Sequence, residues 1–193
     1  LQLFYHHGFQ ATGVDTIAKA AGTTRQTLYY HFESKDQLVV EVIRQRDLSW
    51  RRQLCEQIRL RGGDDPLAQL RCIFDVLREY FASPDFVGCL FISAALEFPS
   101  SSDPIHKAAK QNFDAVRRIV ADLAADSGLT QPETFAAKFN IIVEGAIVAE
   151  LVDRNQAAAV QAAELANLLI EQYIPERTAH VPSRSNRCSS NEN

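Results

Sequence analysis

The run Arg25-Gln26-Thr27-Leu28-Tyr29-Tyr30-His31 places six hydrogen-bonding side chains within seven residues. A guanidinium such as that of Arg25 suits guanine O6 and N7, and the amide, hydroxyl and imidazole groups around it suit base edges and phosphate oxygens. A helix this short does not stabilise itself, and clustered polar aromatics make little sense as its core. The elements that must hold it lie on either side. Ile17, Ala18, Ala21, Leu28 and Phe32 supply apolar faces for two short helices, Val14 to Ala21 and Arg25 to His31. Gly22 falls at the turn between them, where a residue with φ > 0 is wanted. This is the layout of a helix-turn-helix, whose second helix enters the major groove. A generic helical hairpin would share the glycine turn but not the polar surface of its second helix.

The remaining periodicity is helical almost throughout. A first helix runs to about His7 and stops at Gly8. Ser34 reads as the N-cap of a long helix from Lys35 towards Arg61, ended by Gly62-Gly63. Asp65-Pro66 opens the next, to about Ala82, and a helix near Val87 to Phe98 follows. Asp103-Pro104 and Pro132 open two more, to about Ser127 and Asp153, since proline is favoured at a first helical position. A last helix covers Ala157 to Ile174. The polar segment 176–193 lacks apolar periodicity and reads as a disordered tail. The fold class is therefore all-α: a three-helix N-terminal domain, residues 1–45, followed by a helical domain, residues 46–175. The chain contains no Met and begins inside an apolar pattern. It reads as lacking the start of its first helix and any arm before it, which could carry DNA contacts.

Composition narrows the function classes. No stretch approaches the roughly 20 apolar residues of a membrane span, and the first residues lack the features of a signal peptide. A soluble cytoplasmic protein without a membrane partner is expected. Cysteines 55, 72, 89 and 188 form no C-x-x-C pair and have no zinc-ligand spacing, so buried thiols and one tail thiol are expected, with no metal. No G-x-S-x-G, H-E-x-x-H, P-loop or dinucleotide fingerprint is present. His106 with Asp103 and Glu97 is the best enzyme-like cluster, but Asp103-Pro104 is better explained as a helix start. Neither a cofactor nor an enzymatic activity is expected. Residues 1–62 hold nine Lys/Arg against six Asp/Glu, a net of +3, which leaves −7 for the rest of a chain whose total is −4. A basic front on an acidic body points a polyanion at the N-terminal end.

The segment Gly8 to Leu38 strongly resembles the TetR/AcrR family of regulators. The matching elements are Gly8-Phe9, Thr12, Ile17-Ala18, Ala21-Gly22, Thr27-Leu28-Tyr29-Tyr30-His31-Phe32 and Ser34-Lys35. Gly13 departs from the pattern, since a Ser or Thr often caps the second helix there, and Thr12 is the nearest substitute for the lost hydroxyl contact. The resemblance implies base reading by Arg25, Gln26 and Tyr29. It implies phosphate contacts from Thr24, Thr27, Tyr30, His31 and Lys35. For Tyr30 and His31 the alternative is packing against the first helix. The implied protein is a homodimeric, ligand-responsive repressor, two of whose heads read a palindrome in double-stranded operator DNA. An activator stays open, as does a ligand-independent DNA-binding protein, though DNA binding alone would not need the long body.

Within the body, Phe86 to Glu97 resembles a stretch from one branch of the family, where this helix joins a sensing pocket to the helix carrying the head. Cys89, Ser93 and Glu97 recur every four residues and so share one face. With the aromatic surface of Phe91 and Phe113 they are the candidate ligand contacts; a solvated face is the other reading. Aromatic surface on an acidic body favours a largely apolar ligand, neutral or cationic. Phe135, Phe139, Ile142, Gly145-Ala146, Ala149 and Val152 form one apolar seam. Ala159, Ala163, Ala166, Leu169-Ile170 and Tyr173 form another. They either bury within one subunit or, as the resemblance implies, build a four-helix interface between two chains.

Overall fold

The computed structural model describes residues 1–84 and 86–175. Among these the regular elements are all helices: α1 Gln2–His7, α2 Val14–Ala20, α3 Arg25–His31, α4 Lys35–Gly62, α5 Pro66–Ala82, α6 Leu90–Glu97, α7 Pro104–Asp126, α8 Pro132–Asp153 and α9 Ala158–Tyr173. The expected disordered tail, 176–193, lies outside the described residues and takes Cys188 with it.

Local chemistry sets most of the helix starts. Thr24, Ser34, Asp65 and Asp103 each accept a backbone N–H from the first turn of α3, α4, α5 and α7. Each cap satisfies a donor that would otherwise be orphaned. Pro66, Pro104 and Pro132 open α5, α7 and α8, where a missing N–H costs nothing. One start differs from expectation. The helix expected from Val87 begins at Leu90, because Gly88 sits at φ 95, outside the right-handed helical region. The carbonyl of Gly88 instead accepts the Tyr80 hydroxyl at 2.8 Å.

Two apolar clusters fill the molecule. One joins the second half of α4 to α5, α7, α8 and α9. The other joins Phe4, Phe9, Val39 and Ile43 of the head to Leu90, Phe91, Ala94 and Ile105 of the body. Helix α4 has 28 residues, roughly 42 Å at 1.5 Å per residue, and passes through both clusters. At the junction the buried Asp47 takes both oxygens to Arg51, at 2.8 and 2.7 Å, and accepts Asn112 Nδ2 at 2.8 Å. That full set of partners is what lets a carboxylate sit there, and it pins α4 to α7.

The C-terminal seams need a correction. Phe135, Phe139, Ala146, Ala159, Ala166, Ile170 and Tyr173 bury within their own subunit, so most of the expected seam is used internally. The apolar groups left outside are mainly different ones. Ile141, Val148 and Val152 stand exposed on α8, and Leu165 and Leu168 on α9.

Candidate nucleic-acid interface and cavity

Helices α2 and α3 meet through a tight turn. Gly22 adopts φ 65, and the Thr23 amide donates to the Ala18 carbonyl at 3.0 Å. Ala18 is buried at the crossing, while α3 buries no residue at all. Its anchors are the half-buried Leu28 and, just beyond its end, the half-buried Phe32.

The remainder of α3 faces solvent. Thr24 Oγ1 accepts the Thr27 amide at 3.1 Å and pairs with Thr27 Oγ1 at 2.9 Å. The Arg25 guanidinium lies 5.6 Å from the Tyr29 ring centre and 3.8 Å from the Asp15 carboxylate. An exposed pair of this kind is weak and leaves Arg25 free to exchange partners. Gln26 is exposed beside it. Tyr30 is 84% exposed and meets only the edge of His31 among the aromatic rings, at 5.1 Å. Packing of Tyr30 against the first helix is therefore excluded. Lys35 Nζ donates to the Gln10 carbonyl at 3.1 Å, which ties the start of α4 to the loop after α1.

Thr12 does not stand with these groups. It is 2% exposed, and its hydroxyl donates to the Gly8 carbonyl at 2.6 Å. Its place is in the scaffold of the loop, so it does not replace the hydroxyl missing at Gly13.

A mostly apolar cavity opens in the body, lined from α4, α5, α6, α7 and α8, and mostly apolar linings with a few polar groups are usual for small-molecule sites. Helix α4 contributes Arg46, Trp50 and Leu54 to its wall, and Leu90 and Phe91 form the part built by α6. Of the expected ligand contacts, Cys89, Phe91 and Phe113 line it and Ser93 and Glu97 do not. The shared face expected of Cys89, Ser93 and Glu97 is divided between two tasks. Cys89 sits at the N-cap of α6, facing the cavity, and burial pushes its thiol pKa up, which disfavours the reactive thiolate.

Glu97, at the other end of α6, holds the head. Its Oε1 accepts the Phe9 amide at 2.9 Å and its Oε2 accepts the Gln10 amide at 2.8 Å. The Gln10 side chain returns a bond to the Glu97 carbonyl at 2.6 Å. Gly8, at φ 78, allows this approach, since a Cβ there would lie 2.9 Å from Glu97 Oε1. The enzyme-like cluster dissolves in the same way: Asp103 caps α7, and His106 Nδ1 bonds to the Phe98 carbonyl at 2.8 Å. Cys55 is exposed and Cys72 half-buried, so the expectation of buried thiols fails at Cys55.

Sequence reasoning missed Tyr5, Arg46, Trp50, Tyr80, Asn140 and Glu144 on the cavity wall. A signal existed for the last two. They are polar residues one turn apart in the otherwise apolar stretch around Phe139 to Ala149.

Residues 1–42 match the model for bacterial regulatory proteins of the tetR family, and residues 66–172 match the C-terminal domain of LmrA/YxaF-like transcriptional regulators. The chain belongs to the TetR family. The Cereibacter sphaeroides transcriptional regulator AcuR is 30% identical over 73% of this chain and 68% of its own length. The Escherichia coli HTH-type regulator YjdC is 26% identical over 81% of this chain and 82% of its own. Among solved structures, the TetR-family regulator SCO4454 of Streptomyces coelicolor superposes with a TM-score of 0.78 at 24% identity, covering 90% and 91% of the two chains. The reduced form of Escherichia coli NemR gives 0.80 at 18%, covering 91% and 93%. These likenesses agree with the TetR fold of an N-terminal helix-turn-helix and a helical C-terminal domain. The chain is a DNA-binding transcriptional regulator and not an enzyme. Among the described residues no helix is long and apolar enough to cross a membrane.

Proposed function

We propose that this TetR-family protein is a homodimeric repressor of the bacterial cytoplasm that leaves a palindromic operator when a small, largely apolar ligand fills its cavity. The observation that carries this reading is that the cavity wall is made partly by α4 and α6, both of which end on the DNA-binding head. Arg25, Gln26 and Tyr29 read base edges. Thr24, Thr27, Tyr30, His31 and Lys35 grip phosphates, where the protein supplies position more than specificity.

Two connections carry the signal. Helix α4 runs unbroken from Lys35 through Arg46, Trp50 and Leu54 on the cavity wall. Helix α6 presents Phe91 to the cavity and Glu97 to the loop that positions α2. A ligand that pushes either helix moves the head as one body, because both share its core. A hundredfold loss of operator affinity requires about 2.7 kcal/mol of coupling, and DNA must weaken the ligand equally.

Two subunits join through α8 and α9. Ile141, Gly145, Val148 and Val152 follow one another at helical spacing on α8, all exposed, and Leu165 and Leu168 extend an apolar face on α9. Faces of this kind ask for a partner, and two helices from each chain complete a four-helix contact that holds the heads at fixed spacing.

The test is capture of chromosomal DNA bound by the protein and by its Arg25→Ala variant. A set of promoters sharing an inverted repeat, lost in the variant, is the expected result. Fragments without common sequence, unchanged by the variant, would contradict operator recognition.

A further inference from the structure

Apart from its apolar lining, the cavity wall carries a small set of polar side chains, and most of them already have partners. Tyr80 donates its hydroxyl to the Gly88 carbonyl at 2.8 Å, and Asn112 donates its amide to Asp47 at 2.8 Å. Arg46 Nε donates to the Tyr5 hydroxyl at 3.2 Å, and its guanidinium lies 5.6 Å from the Trp50 ring centre. Two acceptors remain. Asn140 is 3% exposed, and its Oδ1 is buried without a hydrogen-bond partner among the described residues. Glu144 follows one turn later on α8, on the same wall, with no ion pair among the described residues.

A buried acceptor left unmatched is costly, and an unpaired carboxylate beside it more so. Both are relieved by a guest that brings N–H donors and positive charge. The aromatic rings of Trp50, Tyr80, Phe91 and Phe113 line the same space, and their faces attract a cation as well as an apolar body.

We infer that the ligand of this cavity is an aromatic amine in its cationic form, its ammonium held by Asn140 Oδ1 and the Glu144 carboxylate and its rings set among Trp50, Tyr80 and Phe113. This deepens the reading of the cavity as the sensing site and rests on it. Burial pushes the Glu144 carboxyl above its usual range, with the Arg117 guanidinium offsetting only part of that, as expected of a carboxylate that lacks a close counter-charge. Arg46, on the same wall, keeps its positive charge, but its Nε is directed to the Tyr5 hydroxyl and its guanidinium lies over the Trp50 ring.

Trp50 is the only tryptophan of the chain and stands on the wall, so its emission reports occupancy directly. The experiment compares biphenylmethylamine, biphenylmethanol and biphenyl carboxylate by calorimetry and by Trp50 emission, using the full chain. The amine is expected to bind about tenfold tighter than the alcohol, with the carboxylate weakest, and Glu144→Gln should remove the amine's advantage over the alcohol. Tightest binding by the alcohol or the carboxylate, with Trp50 still responding, would overturn the cationic assignment and leave the cavity as the sensing site. Binding of all three without any response of Trp50, or no binding by any, would overturn both. The comparison on the unmodified chain stands even where the variant fails to fold.

Discussion

At the scale of single residues, the side chains of α3 and of the start of α4 are proposed to divide into groups that read and groups that hold. Arg25 is exposed and only weakly paired to Asp15, so Arg25→Ala should cost about 1–3 kcal/mol on the operator and relax preference at one base pair. Lys35→Ala should weaken all sequences alike and lower the salt slope by about one unit per head. Binding titrations on a set of operator variants at several salt concentrations separate the two, and identical behaviour would show that the roles are wrongly assigned. Thr12 shows where residue-level reading stops. Its type suits a phosphate contact, yet its hydroxyl closes a turn on Gly8, and only the path of the chain around Gly8 decides between the two. The exposure of Tyr30 was open for the same reason. Short helices leave their aromatics without a neighbour that sequence could name.

At the scale of elements, the helix starts were legible because their causes are local. Thr24, Ser34, Asp65 and Asp103 cap the turn that follows each of them, and such pairings lie within a few residues. The start of α6 was not legible, because it depends on a glycine conformation held by Tyr80, eight residues away. Glu97 was harder still, since its partners are the amides of Phe9 and Gln10 on the far side of the sequence. A carboxylate accepting two backbone N–H groups is a direct polar link between α6 and the head. Glu97→Gln keeps the shape but removes the charge and one acceptor, and should lower stability by about 1–3 kcal/mol. Operator affinity should fall with it, while ligand binding reported by Trp50 stays as before. Thermal melts, DNA titration and Trp50 emission check this together. An unchanged operator affinity in a variant with lowered stability would show that α6 carries no signal to the head.

At the scale of the whole molecule, the two-part organisation was readable from the charge asymmetry and the motif near the N-terminus, but not the way the parts share a core. Val39 and Ile43 of α4 belong to the same apolar cluster as Leu90 and Ala94 of α6, although about fifty residues separate them in sequence. Which face of α8 stays outside was not legible for a related reason. Apolar residues on α8 run around much of the helix, so periodicity alone could not tell the inner face of Phe135 and Phe139 from the outer one of Ile141 and Val148. Charge on that outer face, as in Ile141→Glu with Leu168→Glu, should leave the subunit folded, yield monomers by light scattering and weaken operator binding severely, since half-sites are then bound one at a time. Dimers that persist in this double variant would place the subunit contact elsewhere. The claim that joins all three scales is that cavity and head are thermodynamically linked. It is tested by adding biphenylmethylamine to the complex with a captured operator, while DNA anisotropy and Trp50 emission are read in the same sample. Release of DNA in step with the change at Trp50, and binding of the amine weakened by operator by the same factor, is the result this account predicts. Saturation of the Trp50 response with the operator still fully bound would contradict it.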